Sequence, residues 1–108
     1  MSVVVYVSGP ISQGNWLINI RLAVQSGERL RRAGFVPLVP HLIALAELCG
    51  SDATYEDWLA LDLALLERCD ALLRLPGPSV GADREVEHAR ALGLPVFFNE
   101  LDIPRPRS

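Results

Sequence analysis

A carboxylate stands on the apolar face of a predicted helix in the second half of the sequence. Ser79 is a suitable N-cap, and a helix that runs from there to about Gly93 turns Glu85 inward. The other inward positions are apolar: Ala82, Val86, Ala89 and Leu92. A buried carboxylate is costly unless it is paired or used in catalysis. Glu85 is therefore a candidate for chemistry that involves a proton or an electron-poor carbon.

A second carboxylate, Asp62, has the same placement on another predicted helix, which runs from Tyr55 to Cys69. Asp62 shares its apolar stripe with Trp58, Leu65 and Leu66. Tyr6 lies in the first predicted strand, where a buried hydroxyl needs a hydrogen-bond partner that a carboxylate near the strand end would supply. Each residue alone is more often structural than catalytic. Their joint inward placement favours a site over separate core residues, which is the alternative interpretation.

Two turns rich in small residues are candidates for ligand contact. The first is Ser8-Gly9-Pro10-Ile11, which either lets a ligand approach the backbone or is only a turn. The second, Ser79-x-Gly81-Ala82, opens a helix and offers free amides and a hydroxyl to an anion. Its alternative is a simple cap with a glycine for tight packing. Neither turn is a dinucleotide-binding fingerprint or a P-loop, because the glycine spacing differs and lysine is absent.

Three further residues allow two interpretations each. His41 follows Pro40 at the end of a predicted strand, where sites lie in α/β folds, and it either contacts a ligand or is a solvated loop residue. Trp16 and Trp58 are predicted to lie in the core or at an interface.

Predicted strands and helices alternate along the chain. The strands are Val3–Val7, Phe35–Val39, Ala71–Leu75 and Pro95–Phe98. The helices run from Asn15 or Trp16 to Ala33, over Leu42–Cys49, from Tyr55 to Cys69 behind a Thr54–Asp57 capping box, and from Ser79 to Gly93. This order predicts an α/β fold: one doubly wound, flavodoxin-like or Rossmann-like domain whose parallel sheet of four to five strands carries helices on both faces. The domain is predicted to span residues 1–108, with a loose tail at about 102–108.

Composition bounds the class of protein. The chain has 108 residues, half of them hydrophobic, which is enough for one domain with one core. Its net charge is −3 and all 10 of its cations are arginine, so we expect no binding to polymeric nucleic acid. Cys49 and Cys69 have no metal-ligand spacing, which favours a reduced, cytoplasmic protein without a metal. The start of the chain lacks a signal-peptide pattern, and no apolar run reaches the ~20 residues of a membrane span.

Four segments of the sequence together resemble the nucleoside 2-deoxyribosyltransferase superfamily. They are Tyr6-x-Ser8-Gly9-Pro10-Ile11, Asp62-Leu63-x-x-Leu66-x-x-Cys69-Asp70, Ser79-x-Gly81-Ala82-x-x-Glu85 and Ala91-Leu92-Gly93-x-Pro95-Val96. The resemblance runs over about residues 3–98. It is strongest to the 2'-deoxynucleoside 5'-phosphate N-hydrolases and to a branch of short bacterial and phage proteins known only as domains of unknown function.

This resemblance implies roles for the residues above. Glu85 would be the nucleophile that attacks the anomeric carbon, Asp62 would protonate or steer the leaving base, and Tyr6 would orient Glu85. Ser79 and Gly81 would hold the 5'-phosphate. No metal or cofactor is implied. The chain departs from the hydrolases because it lacks an arginine shortly after the first turn, which weakens the case for phosphate recognition.

The resulting hypothesis is an enzyme that hydrolyses the N-glycosidic bond of a (deoxy)nucleoside 5'-monophosphate. The alternatives are base exchange, as in a nucleoside 2-deoxyribosyltransferase, and a non-catalytic nucleotide-binding module of the same fold. The expected partners are thus a small nucleoside or nucleotide and a second copy of the chain. A homodimer or higher homo-oligomer is expected because the helix from Tyr55 is apolar on nearly every side; the alternative is that the Leu42–Cys49 segment covers it.

Overall fold

The computed structural model describes residues 2–106, and over that range strands and helices alternate as the sequence predicts. The strands are β1 (Val4–Ser8), β2 (Val36–Leu38), β3 (Ala71–Arg74) and β4 (Val96–Phe97). The α-helices are α1 (Trp16–Arg32), α2 (Tyr55–Leu66) and α3 (Val80–Ala91), and 3-10 segments cover Pro40–Cys49 and Glu100–Asp102. Within this range, no helix is long and apolar enough to span a bilayer.

The strands form one parallel sheet in the order β2-β1-β3-β4. Its two central strands, β1 and β3, are almost entirely buried, as expected of parallel strands that are covered on both faces. The chain leaves β1 toward one edge of the sheet and β3 toward the other, so the topological switch point lies between these strands. The predicted α/β doubly wound class is confirmed, with a strand number at the lower end of the predicted range.

Side chains of β1 alternate between two cores, one on each face of the sheet. Val5 and Val7 pack in the core that α1 covers. Tyr6 packs in the opposite core, which α2 and α3 cover. Because Ser8 shares the face of Tyr6, both hydroxyl-bearing side chains point from the central strand toward α2 and α3.

Polar caps determine where the three α-helices begin. Asn15 accepts a hydrogen bond from an amide in the first turn of α1. Thr54 and Asp57 form the predicted capping box at the start of α2. Ser79 Oγ accepts a hydrogen bond from the Ala82 amide at 3.1 Å. This last cap fixes the start of α3 at Val80, and Val86 and Ala89 pack the helix against the sheet.

Two helices end earlier than predicted. α2 ends at Leu66 instead of Cys69, because Asp70 already pairs with β1: its amide and its carboxylate both bind the backbone of Val4 at 2.8 Å. α3 stops just before Leu92, so this residue is exposed instead of buried as predicted. Strand pairing and helix capping thus override the apolar periodicity at these ends.

Two segments outside the main elements also differ from the prediction. The helix predicted over Leu42–Cys49 is a 3-10 segment that already begins at Pro40. Ile103, predicted to lie in a loose tail, is 5% exposed and packs in the core beside α1. Glu100 binds Arg29 of α1 at 2.6 Å and so holds the turn that precedes Ile103. Residues 107 and 108 of the predicted tail lie outside the described residues.

Candidate active site

Glu85 is a buried carboxylate in the second turn of α3, and β1 supplies both of its hydrogen-bond donors. The residue is 6% exposed. The Tyr6 hydroxyl donates to Oε2 at 2.6 Å, and the Ser8 hydroxyl donates to Oε1 at 2.7 Å. Both donors reach the same carboxylate because residues two apart in a strand share a face. The carboxylate partner that the sequence predicts for Tyr6 is therefore Glu85.

Opposing effects act on the charge of Glu85. Burial raises its pKa above the ordinary value, because the ionised form loses its contact with water. The hydrogen bonds from Tyr6 and Ser8 and the charge of Arg74 act in the opposite direction. Burial, together with the charges of Glu85 and Asp62, raises the pKa of Tyr6, so this hydroxyl keeps its proton and remains a donor. The donors favour the anionic form that a nucleophile requires.

Asp62 of α2 lines the same cavity as Glu85. It is half-buried. Burial and, to a smaller extent, the charge of Glu85 raise the pKa of Asp62 to about 7. Asp62 therefore keeps its proton to a much higher pH than an ordinary aspartate. Two neighbouring carboxyl groups with different affinities for a proton can supply one nucleophile and one general acid.

A cavity of about 580 Å³ opens at the carboxyl ends of β1 and β3, at the switch point of the sheet. Both carboxylates line it, together with five of the predicted ligand-binding residues, which are Gly9, Ile11, Ser79, Gly81 and Ala82. Its lining within residues 2–106 contains no arginine, lysine or histidine. The volume suits a small organic ligand. The binding roles of the lining residues stay predictions.

Two predicted ligand-binding residues, Ser8 and Pro10, do not line the cavity. Ser8 is fully buried, and its hydroxyl holds Glu85. The Pro10 carbonyl accepts a hydrogen bond from His41 Nε2 at 3.1 Å. His41 is buried, so the interpretation as a solvated loop residue is wrong; it connects the 3-10 segment Pro40–Cys49 to the turn after β1. Burial also lowers the pKa of His41, which favours the neutral ring.

Glycines let the loops after β1 and β3 approach each other. A Cβ atom at Gly9 would lie 3.0 Å from the Leu75 Cβ, and one at Gly77 would lie 2.9 Å from the Pro10 Cγ. Gly77 also has a φ of +113°, which other residues rarely adopt. The two loops therefore pack closely, which brings Gly9 and Ser79 to the same cavity.

The first residues of α3 line the cavity, and their backbone amides lie at the positive end of the helix. The Ser79 hydroxyl is occupied by the Ala82 amide, so its role as a helix cap is established. The amides of Val80 and Gly81 come too early in the helix to find a carbonyl within it. Together with the helix dipole, they offer partial positive charge to a cavity whose charged side chains in the described range are carboxylates.

Three aromatic residues that the sequence did not assign to the site line the cavity. Trp16, Tyr55 and Trp58 line it, although the sequence pattern assigns both tryptophans to the core or an interface. The Trp58 Nε1 donates to Glu47 Oε1 at 2.8 Å, which ties the 3-10 segment Pro40–Cys49 to α2. One signal was present in the sequence: Trp58 stands one helical turn before Asp62, so both side chains share a face of α2.

Arg74, the last residue of β3, is another residue that the sequence did not assign to the site. It is 8% exposed, and its charge lowers the pKa of Glu85. The signal in the sequence was a lone arginine at the end of an otherwise apolar strand, where it is expected to be buried. Arginine is rarely buried unless it is paired.

The fold and the cavity at its switch point define an α/β domain of the kind that binds small molecules at the carboxyl ends of its strands. Residues 3–98 match the model of a family described as a domain of unknown function, DUF4406. The chain belongs to this family. A search of curated protein sequences finds no match.

Two solved structures share the fold. A 2-deoxyribosyltransferase from the psychrotolerant bacterium Bacillus psychrosaccharolyticus is similar with a TM-score of 0.68 at 19% identity, over 87% of this chain and 69% of that one. A 2-desoxiribosyltransferase from Leishmania mexicana is similar with a TM-score of 0.60 at 20% identity, over 87% of this chain and 61% of that one. This chain thus has the fold of these transferases and spans about two thirds of their length.

Proposed function

We propose that this protein cleaves the N-glycosidic bond of a nucleoside or its 5'-monophosphate, with Glu85 as nucleophile and Asp62 as general acid. The observation that carries the proposal is a pair of unequal carboxyl groups at one cavity. Glu85 accepts hydrogen bonds from two donors that favour its anion, and burial raises the pKa of Asp62 to about 7. The fold shared with two 2-deoxyribosyltransferases supports nucleoside-related glycosyl transfer.

The reaction takes two steps on these residues. In the first, a Glu85 oxygen attacks the anomeric carbon, and the bond from this carbon to the base nitrogen breaks. The base leaves with the electron pair and receives the proton of Asp62. In the second step, ionised Asp62 takes a proton from water, and the water oxygen attacks the anomeric carbon of the glycosyl ester. The bond to Glu85 breaks, which releases the sugar and regenerates both carboxyl groups.

Tyr6 and Ser8 orient the nucleophile before the substrate binds. Their hydrogen bonds of 2.6 and 2.7 Å reach different oxygens of Glu85 and so restrict rotation of the carboxylate. Both donors belong to the central strand of the sheet, which holds them in place. A nucleophile that is already oriented lowers the entropic part of the reaction barrier.

The composition of the cavity supports a finer assignment of the substrate. Trp16, Tyr55 and Trp58 offer flat apolar surfaces to a base. Where the substrate carries a 5'-phosphate, the free amides at the start of α3 would bind it. We propose hydrolysis in preference to base exchange.

A panel of ribonucleosides, deoxyribonucleosides and their 5'-monophosphates tests the proposal, with release of free base measured by chromatography. The wild type should release base from at least one member, and Glu85→Gln should abolish this release. Glu87→Gln is the matched control, since Glu87 is exposed on the same helix and should leave the rate unchanged. A new nucleoside formed when a second base is added would indicate base exchange. No release from any substrate would refute catalysis and favour a nucleotide-binding module.

We also propose that the protein forms a homodimer or higher homo-oligomer. Within the chain, α2 buries Leu59 and Leu66, and Trp58 binds Glu47 of the 3-10 segment. Another side of α2 stays in water, where Leu61 is 40% exposed. An uncovered apolar helix side favours a second copy as its cover. Light scattering at micromolar concentration should give at least twice the 11.8 kDa of one chain, and a clean monomer would exclude the proposal.

A cytoplasmic location is proposed as well. Cys49 is exposed and Cys69 is buried, and both are free thiols. The cytosol keeps thiols reduced, whereas oxidising compartments favour disulfides. Fractionation of cells that make this protein tests the location, and the protein should be found in the cytosolic fraction.

A further inference from the structure

Arg74 is a buried cation that the proposed mechanism leaves without a role. It is the last residue of β3 and is almost inaccessible to solvent. Its guanidinium donates to the carbonyl of Leu75, to the carbonyl of Gly77 at 3.0 Å and to Asp83 Oδ1 at 2.9 Å. Because burying a guanidinium is costly, its position beside the active site calls for an explanation.

The register of the sheet puts Arg74 beside the residues that hold Glu85. Arg74 is the partner of Ser8 in the pairing of β1 with β3. It follows Leu72 by two positions and so shares the sheet face on which Tyr6 also lies. Ser8 donates to Glu85 at 2.7 Å. The positive charge of Arg74 therefore acts on the nucleophile and lowers the pKa of Glu85, against the effect of burial.

The other ionisable groups around Glu85 do not supply such a charge. Tyr6 of β1 keeps its proton, because burial and the nearby carboxylates raise its pKa. Asp62 of α2 is a second carboxyl group. Asp83 of α3 is exposed and binds Arg74 itself. Within the described residues, Arg74 is thus the cation that favours the anionic form of Glu85.

The same guanidinium holds the loop that leads from β3 into α3. Its carbonyl acceptors, Leu75 and Gly77, belong to this loop, and Asp83 belongs to the first turn of α3. Arg74 therefore binds the loop at two points and the helix at one. Because Glu85 follows Asp83 by two residues on the same rigid helix, these contacts also fix the position of Glu85.

We propose that Arg74 is a positioning residue of the active site, which brings a positive charge near Glu85 through its register with Ser8 and anchors the loop before α3. The nucleophilic role of Glu85 in this statement rests on the proposed function. Arg74 does not line the cavity, so it acts through Glu85 and not on the substrate. The charge of Arg74 and its anchoring of the loop can be tested separately, because a lysine at this position keeps the charge but not the planar set of hydrogen-bond donors.

Titration of Glu85 tests whether the positive charge of Arg74 acts on this carboxyl group. The measurement is carbon-13 NMR of the glutamate side-chain carboxyl groups, with the Glu85 signal assigned by its absence in Glu85→Gln. Arg74→Gln should raise the midpoint of Glu85, because the positive charge that lowers the pKa of this carboxyl group is lost. Arg74→Lys should leave the midpoint close to that of the wild type. An unchanged midpoint in Arg74→Gln, or an equal rise in both variants, would overturn the proposal.

Asp83→Asn is the second variant, chosen because its exposed position does not endanger the fold. It should lower the midpoint of Glu85, since Arg74 then no longer shares its charge with Asp83. If Arg74→Gln does not fold, this variant decides: a midpoint that stays in place or rises would overturn the proposal.

The NMR titration needs no substrate, so it tests Arg74 even where the proposed function fails. Where the wild type releases base, the acid limb of the kcat/KM profile should move to higher pH in Arg74→Gln, together with the NMR midpoint. Arg74→Lys should lower kcat while the acid limb stays in place, because the loop is anchored less firmly. A lower kcat in both variants with neither limb moved would show a merely structural residue and overturn the proposal.

Discussion

The hydroxyl of Tyr6 allows a direct test of the charge on Glu85. Tyr6→Phe removes the donor to Oε2 but keeps the ring, so the packing of this fully buried side chain is preserved. Ser8 donates to Oε1, the other oxygen, and this donor is untouched by the substitution. The substitution therefore isolates one hydrogen bond to one oxygen of the carboxylate.

The expected cost depends on whether Glu85 is ionised. A hydrogen bond to a charged group contributes about 1.5–3 kcal/mol to stability, and one between neutral groups about 0.5–1.5 kcal/mol. Tyr6→Phe should therefore reduce the free energy of unfolding by about 1 kcal/mol more when Glu85 is an anion than when it is protonated. One pKa unit corresponds to about 1.36 kcal/mol, so Tyr6→Phe should raise the pKa of Glu85 by about one unit.

The pH dependence has a definite sign. Burial already raises the pKa of Glu85 above its value in the unfolded chain. The folded state thus binds this proton more tightly, so the stabilising contribution is present at low pH and is lost as the pH rises through the folded pKa. Tyr6→Phe should raise the pKa of Glu85 further, so the variant loses more stability than the wild type as the pH rises. The difference in the free energy of unfolding between the two proteins should therefore grow with pH.

Urea denaturation of both proteins at about pH 4 and about pH 8 measures this difference. The same comparison in a Glu85→Gln background is the control, because an amide cannot ionise; there, Tyr6→Phe should cost the same at both pH values. Equal costs of Tyr6→Phe at both pH values in the wild-type background would show that Tyr6 does not stabilise an ionised Glu85. Where base release is measurable, the acid limb of the rate profile should also move up by about one pH unit.

Three further changes test other parts of the structure. Asp62→Asn should stabilise the protein by about 1–2 kcal/mol at about pH 8 but not at about pH 4, a figure that allows for the partial exposure of this side chain. The reason is that the pKa of Asp62, raised to about 7, makes the wild type lose stability as the pH rises. Equal stabilities of variant and wild type in urea at both pH values would contradict this. Ser79→Ala should cost about 1 kcal/mol through the lost helix cap, and an unchanged Tm would argue against that cap. Ile103→Ala should cost about 2–4 kcal/mol in denaturation, whereas the control Leu101→Ala, 88% exposed in the wild type, should cost almost nothing; similar losses would place Ile103 outside the core.

Local patterns in the sequence allowed the prediction of the fold class and of the direction of Glu85. Strand and helix patterns alternate, and this alternation indicates a parallel sheet with helices on both faces. The Ser79 cap starts α3 at a defined residue, so apolar periodicity was enough to turn Glu85 inward. The placement of Asp62 on α2 followed in the same way. These features depend on contacts between residues three or four apart.

The ends of elements and the C-terminal segment could not be predicted in the same way. The end of α2 depends on the pairing of Asp70 with Val4, and these residues are 66 positions apart. Ile103 is buried because the turn at Glu100 binds Arg29 of α1, and these two residues are 71 positions apart. Local propensity cannot anticipate such contacts, because their energy exists only once the elements are packed.

Only the tertiary structure decided which side chains act together at the site. Ser8 holds Glu85 across 77 positions of sequence, although its pattern suggested a ligand contact. Trp16 and Trp58 line the same cavity, and the register of the sheet pairs Arg74 with Ser8, which holds Glu85. The physical reason is that periodicity and capping are properties of short segments, whereas the strand order β2-β1-β3-β4 arises from the packing of the whole chain. That order alone brings the ends of β1 and β3 side by side and so creates the cavity between them.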